Sequence, residues 1–166
     1  MALTSEGTAK IIGTLTSAFD SKNVPAKFTF ATTADAFASG TAIDQADLAW
    51  WDTARNLAAT SETHDLAGSL TDPFGATITM ARVKGLYIKN NSTTVGETLK
   101  IGGGSNPFLL FDNASDIYEL GPNGVFFIWE PSAAALPVTA STGDLLKIDS
   151  GAATFTYDIA IIGASA

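Results

Sequence analysis

Thr154-Phe155-Thr156-Tyr157-Asp158-Ile159-Ala160-Ile161-Ile162 is the stretch on which the fold turns. Phe155, Tyr157, Ile159 and Ile161 fall on one side, and Thr154, Thr156, Asp158 and Ala160 on the other. A period of two marks an antiparallel strand with one face buried and one face wet. Together with the apolar run just upstream, residues 144–163 read as a β-hairpin. Its polar face offers hydroxyls and one carboxylate but no nucleophile beside a base, so the segment reads as scaffold.

Working outward, the same grammar recurs. Short apolar runs at 98–101, 107–111, 117–120, 125–129, 138–140 and 145–149 are punctuated by Gly, Asn, Asp or Pro. Near the start, residues 10–19 alternate, with Ile11, Leu15 and Phe19 opposite Thr14 and Thr16; residues 27–30 follow a predicted turn at Val24-Pro25. Residues 1–9 are small and polar and read as a flexible arm, and 31–45 as a loop. Residues 46–58 fit a helical stripe (Leu48, Trp51, Ala54 or Arg55) as well as two strand faces. Ala59-Thr60-Ser61, read as a hairpin turn into 62–66, favours the strand. Asp72-Pro73-Phe74-Gly75 is a turn signal. Beyond it the apolar phase slips between Ala81/Val83 and Leu86/Ile88, with Gly85 at the slip, where a β-bulge is expected. Many short strands without a convincing long helix predict an all-β antiparallel sandwich or barrel.

The composition narrows function. A chain of 166 residues with 46% hydrophobic content buries a core without staples. Only 16% of residues are charged, below the usual quarter, which suits a Thr/Ala/Gly surface that meets other proteins. The net charge of −8, with nine scattered basic residues, argues against nucleic acid and anionic membranes as partners. With no cysteine there is neither a disulfide nor a thiolate metal site. The start lacks a basic region followed by an apolar run, and no stretch has the roughly 18 apolar residues of a membrane span. The expectation is a soluble protein made in a cytoplasm.

One strand breaks the alternation. Val125-Phe126-Phe127-Ile128-Trp129 is apolar on both parities, so the outer face of its sheet needs a cover. Either a loop or the chain's own N-terminal arm supplies it, or a second subunit does. These five residues are therefore the candidate interface. Trp50 and Trp51 are candidate contacts for a sugar or a partner.

Chemistry is thin elsewhere. His64, between Thr63 and Asp65, reads as solvent-exposed, and no G-x-S-x-G elbow accompanies it. Asp112-Asn113-Ala114-Ser115-Asp116 gathers oxygen atoms without EF-hand spacing and reads as an Asx turn rather than a cation site. Gly102-Gly103-Gly104-Ser105 has no following Lys-Ser/Thr and reads as a turn. Glu130 has no second carboxylate that the sequence brings to it. No residue is named catalytic, and no metal or cofactor is expected.

Several segments of the second half carry a resemblance. Ala81-Arg82-Val83-Lys84-Gly85-Leu86-Tyr87-Ile88-Lys89-Asn90 is followed by Thr98-Leu99-Lys100-Ile101-Gly102-Gly103. Ile117-Tyr118-Glu119-Leu120-Gly121-Pro122-Asn123-Gly124-Val125-Phe126-Phe127-Ile128, Gly143-Asp144-Leu145-Leu146-Lys147-Ile148 and Tyr157-Asp158-Ile159-Ala160-Ile161-Ile162-Gly163 complete the set. Over residues 46–163 this succession resembles small virion proteins of tailed bacteriophages encoded among the head genes, of the capsid decoration (cement) type. The resemblance implies a jelly-roll-like sandwich over 46–166. Residues 1–45 would be an extended arm with first strands that contacts an oligomer or the capsid. It implies the virion surface as location and the major capsid protein as partner. It also implies self-association, a trimer fitting best, and no enzymatic activity. A receptor- or carbohydrate-binding module of a head fibre or tail is the alternative.

Overall fold

The computed structural model describes residues 2–19, 22–31 and 35–165. Its strands are β1 (Ser5–Gly7), β2 (Lys10–Phe19), β3 (Lys22–Ala31), β4 (Asp35–Ser39), β5 (Gln45–Ala46), β6 (Leu48–Ala58) and β7 (Ser61–Asp65). They continue as β8 (Arg82–Asn90), β9 (Leu99–Gly102), β10 (Ile117–Leu120), β11 (Val125–Trp129), β12 (Leu136–Pro137), β13 (Leu145–Asp149) and β14 (Thr154–Ala164). No helix occurs among the described residues.

Two antiparallel sheets face each other. One has the order β11-β8-β14-β6, with β12 also on β8; the other has the order β10-β9-β13-β7. The pairs β6–β14, β7–β13, β8–β11 and β9–β10 are those of one long hairpin wrapped across both sheets. The wrapping itself adds β14–β8 and β13–β9. The result is an all-β sandwich of antiparallel sheets. Phe155, Tyr157, Ile159 and Ile161 are buried, as the alternation requires, and meet Ile101, Leu146 and Ile148 of the opposite sheet in one core.

Residues 144–163 are not a hairpin, however. β13 and β14 lie in opposite sheets, and so do β6 and β7, so 59–61 is not a hairpin turn either. The two connections cross between sheets side by side and hold each other: Ala59 N donates to Ala153 O at 2.9 Å, and Ser150 N to Thr60 O at 3.1 Å. Alternation fixes which face of a strand is buried, but not which strand lies beside it.

The phase slip is a bulge, displaced by one residue. Ile162 pairs with Gly85 and Gly163 with Val83, leaving Lys84 as the extra residue. Residues 46–58 resolve as strand β6. Residues 107–111 form no strand, only an isolated bridge from Pro107 to Leu145, and 138–140 is replaced by β12 and a bridge from Thr139 to Gly143.

The N-terminal third is more ordered than its composition suggests. Ser5–Gly7, within the expected flexible arm, pairs antiparallel with Asp35–Ser39, within the expected loop; β5 adds parallel to β4. Asp-Ala-Phe-Ala-Ser is a weak strand former. What holds it is Phe37, 2% exposed, whose ring stacks on Trp129 with centroids 4.1 Å apart. β2 and β3 form a two-stranded ribbon of ten paired residues on each side. Pro25 pairs with Thr16 inside it and makes no turn. Both strands of a ribbon are edges, where a missing N–H is tolerated.

Candidate functional site: an apolar sheet face

Among the described residues β11 is an edge strand that pairs only with β8, in the register Val125 to Lys89, Phe127 to Tyr87 and Trp129 to Gly85. Phe126 and Ile128 turn inward and pack on the core, Phe126 also lying 5.2 Å from Tyr118 between ring centroids. Val125, Phe127 and Trp129 turn outward. Register then extends two rows across the whole outer face. One row is Phe127, Tyr87, Ala160 and Trp51; the other is Trp129, Gly85, Ile162 and Ala49. Phe127 and Trp129 stack at 6.2 Å and join the rows.

The second row is covered by the chain itself. Phe37 stacks on Trp129, and Gly7 lies so close that a Cβ there would sit 2.5 Å from the indole. At the other end Leu3 shares a groove with Ala49 and Trp51. Residues 3–7, spanning about 14 Å when extended, match the width of four strands. Lys84 pins the following loop: its Nζ donates to Ala42 O at 2.6 Å and lies 6.0 Å from the Phe37 ring centroid. Burial, the proximity of Arg82 adding to it, lowers the Lys84 pKa.

The first row stays open. Phe127 is 38% exposed and Trp51 54%, with Tyr87 and Ala160 half-buried between them. Beyond Trp51 the surface continues into a groove of about 300 Å³ lined by Leu48, Trp51, Pro73, Phe74 and Ile78, with Asp47 and Asp72 at its margin. Phe74 is 76% exposed. The turn that presents it is fixed by Asp72, whose Oδ1 accepts from Phe74 N at 2.9 Å and Ala76 N at 2.8 Å.

Trp50 and Trp51 do not act together. As strand neighbours they point to opposite faces. Trp50 pairs with Ile161 and turns inward, its ring centroid 4.9 Å from that of His64. Of the residues singled out from sequence, Val125, Phe127, Trp129 and Trp51 turn outward, whereas Phe126, Ile128 and Trp50 pack inward on the core; Tyr87, Ala160 and Phe74 were not singled out. Tyr87 and Ala160 join the row only through register, whereas Phe74 carried a signal in its Asp-Pro-Phe-Gly turn.

His64 is not exposed. It is 3% accessible, and its Nε2 lies 2.7 Å from the Tyr157 hydroxyl. Tyr157 in turn donates to Glu62 Oε1 at 2.5 Å, and Arg55 bridges Glu62 Oε2 (2.7 Å from Nε) and Asp52 Oδ2 (2.8 Å from Nη1). Glu62 and His64 stand on β7, the other three on β6 and β14, so this chain of polar groups ties the two sheets along one side. Burial, opposed by Glu62, brings His64 down to about 4. Burial and the bond to Glu62 push the Tyr157 hydroxyl up. Burial pushes Glu62 up too, but bonds from Arg55 and Tyr157 outweigh it and hold the carboxyl below its ordinary value. Spanning both sheets, the arrangement works as a clasp.

The remaining motifs are used locally. Asn113 Oδ1 accepts from Ser115 N and Asp116 Oδ2 from Asn113 N, both close to 3 Å. Glu130 Oε1 accepts from Ser132 N at 3.1 Å. Gly102, Gly103 and Gly104 all have positive φ, and a Cβ at Gly102 would meet Asp116 O at 2.8 Å. No group of three or more His, Cys, Asp or Glu is placed to hold a metal among the described residues. No protein-family model, curated protein or solved structure matches the chain.

Proposed function

We propose that this chain is a structural virion protein of the capsid decoration (cement) class that its sequence resembles, binding the outside of a head shell and bridging neighbouring capsomers. The observation that carries the reading is the open row of Phe127, Tyr87, Ala160 and Trp51 on a rigid sheet. Such a face is built to be covered by protein, and it needs no pocket. A shell offers the same contact many times over, so modest contacts sum through avidity. The major capsid protein is the partner on this reading, and the protein turns over no substrate. Quantitative mass spectrometry of purified particles tests it. The expected copy number is comparable to that of the shell protein, with heat-labile shells when the gene is deleted. A few copies per particle overturn it.

Trp51 and Phe74, exposed beside two carboxylates, give the carbohydrate-binding alternative its own footing. That reading expects tryptophan fluorescence to change on addition of host surface glycans and the change to vanish in Trp51→Ala. An unresponsive emission removes it.

A further inference from the structure

We infer that the β2–β3 ribbon of one copy docks on a second copy, along the open row and into its Trp51–Phe74 groove. Among the described residues the ribbon pairs with no other strand. Its neighbours Ile11 and Ile12 are 66% and 62% exposed, and neighbours in a strand point to opposite faces, so at these two positions the ribbon is uncovered on both sides. A lone two-stranded ribbon is at best marginally stable in water. Something must cover it.

Charge names the cover. The ribbon holds Lys10, Lys22 and Lys27, and residues 10–31 contain a single acid, Asp20, in a chain of net charge −8. The basic segment thus projects from a body that is more acidic than the whole. The groove has Asp47 and Asp72 among its lining residues and no Lys or Arg. An apolar ribbon flanked by lysines fits an apolar groove flanked by carboxylates, which are what a second copy brings.

Position argues for a second copy over self-cover. The ribbon springs from Gly7 and Asp35, at the Trp129 end of the outer face, while the groove lies beyond Trp51 at the opposite edge. Ten extended residues reach about 33 Å, against about 14 Å across the row, so one ribbon spans the row of a neighbour and enters its groove. Donor and acceptor are different surfaces, so the contact runs head to tail and closes into a ring when the rotation allows. The inference concerns the free protein and stands apart from the capsid reading, which particle copy number tests.

The absence of cysteine supplies the experiment. Single variants Ile12→Cys and Phe74→Cys of the full chain are mixed and oxidised, and their products separated by mass. A mixed 12–74 dimer is expected as the main product, because the two cysteines can only come from different copies. Sedimentation of the wild type at tens of micromolar should show an oligomer. Ile11→Asp/Ile12→Asp and Phe74→Ser should each reduce it to monomer while cooperative thermal unfolding persists and no longer depends on protein concentration, since all three positions lie on the surface. Raised salt should shift the equilibrium toward monomer. A wild-type monomer, an oligomer that survives both variants, or 12–12 and 74–74 products without the mixed one overturns the inference.

Discussion

His64 Nε2 must be the protonated nitrogen, because the Tyr157 hydroxyl has one proton and gives it to Glu62. The imidazole is therefore folded in as a neutral donor, and burial brings its pKa from 6.5 to about 4. A base lowered in this way stabilises the fold fully above its unfolded pKa. As pH falls below 6.5 the unfolded chain takes up a proton that the folded chain refuses until about pH 4. Stability therefore drops across that interval, by roughly 3 kcal/mol in all. Chemical denaturation between pH 7 and pH 4 reads it. His64→Gln, which keeps a donor toward Tyr157 but cannot titrate, should flatten this part of the curve; an equal slope in both proteins refutes the account. Tyr157→Phe removes the link in the middle of the clasp and leaves His64 and Glu62 each a bond short. It should cost about 1–3 kcal/mol in urea titrations at neutral pH. The sequence hid this site because Glu62, Thr63 and Asp65 make the neighbourhood look wet. The available signal was Leu66, which shares a strand face with Glu62 and His64 and is fully buried.

Elements were legible wherever one face alone had to be buried. β14, β13, β10 and β11 sit within a residue or two of their apolar runs, and the slip near Gly85 announced a real bulge. β4 was illegible because nothing in Asp-Ala-Phe-Ala-Ser asks to be a strand; Trp129, some ninety residues away, imposes it. The dependence is testable at Gly7, where any side chain meets the indole. Gly7→Val should eject β1 and loosen β4, costing about 1–3 kcal/mol as overpacking does. Chymotrypsin should then cleave after Phe37, which is protected in the wild type, and tryptophan emission should move to the red as Trp129 loses its cover. Unchanged proteolysis would mean that β4 holds without β1. Residues 107–111 failed the other way. Phe108, 2% exposed, lies in the core and Leu110 packs against it, but the backbone joins no ladder. Hydrophobicity measures burial, not pairing.

At the scale of the whole molecule, strand order was the part the sequence could not supply, since it depends on which of several equally apolar neighbours each edge meets. The order nevertheless explains a further economy. β1 and β4 are two arms of an antiparallel pair, with Gly7 opposite Asp35, and the entire β2–β3 ribbon is inserted at the point where they face each other. Partners that face each other in this way can be joined by a two-residue turn. Replacing residues 8–34 with Asn-Gly should therefore leave β1 on β4, Phe37 on Trp129 and the two large sheets intact. At concentrations where the full chain is monomeric, the shortened protein should unfold at the same denaturant midpoint, with the same Trp129 emission, because among the described residues the ribbon adds no strand to either large sheet. Its self-association should be lost, and adding it in excess should not dissolve ribbon contacts but cap them, since it still presents an acceptor groove. Sedimentation of mixtures should thus show full-length chains each carrying one shortened copy. A lowered midpoint would place the ribbon on its own body instead, and would make the insertion a part of the fold rather than a limb extended from it.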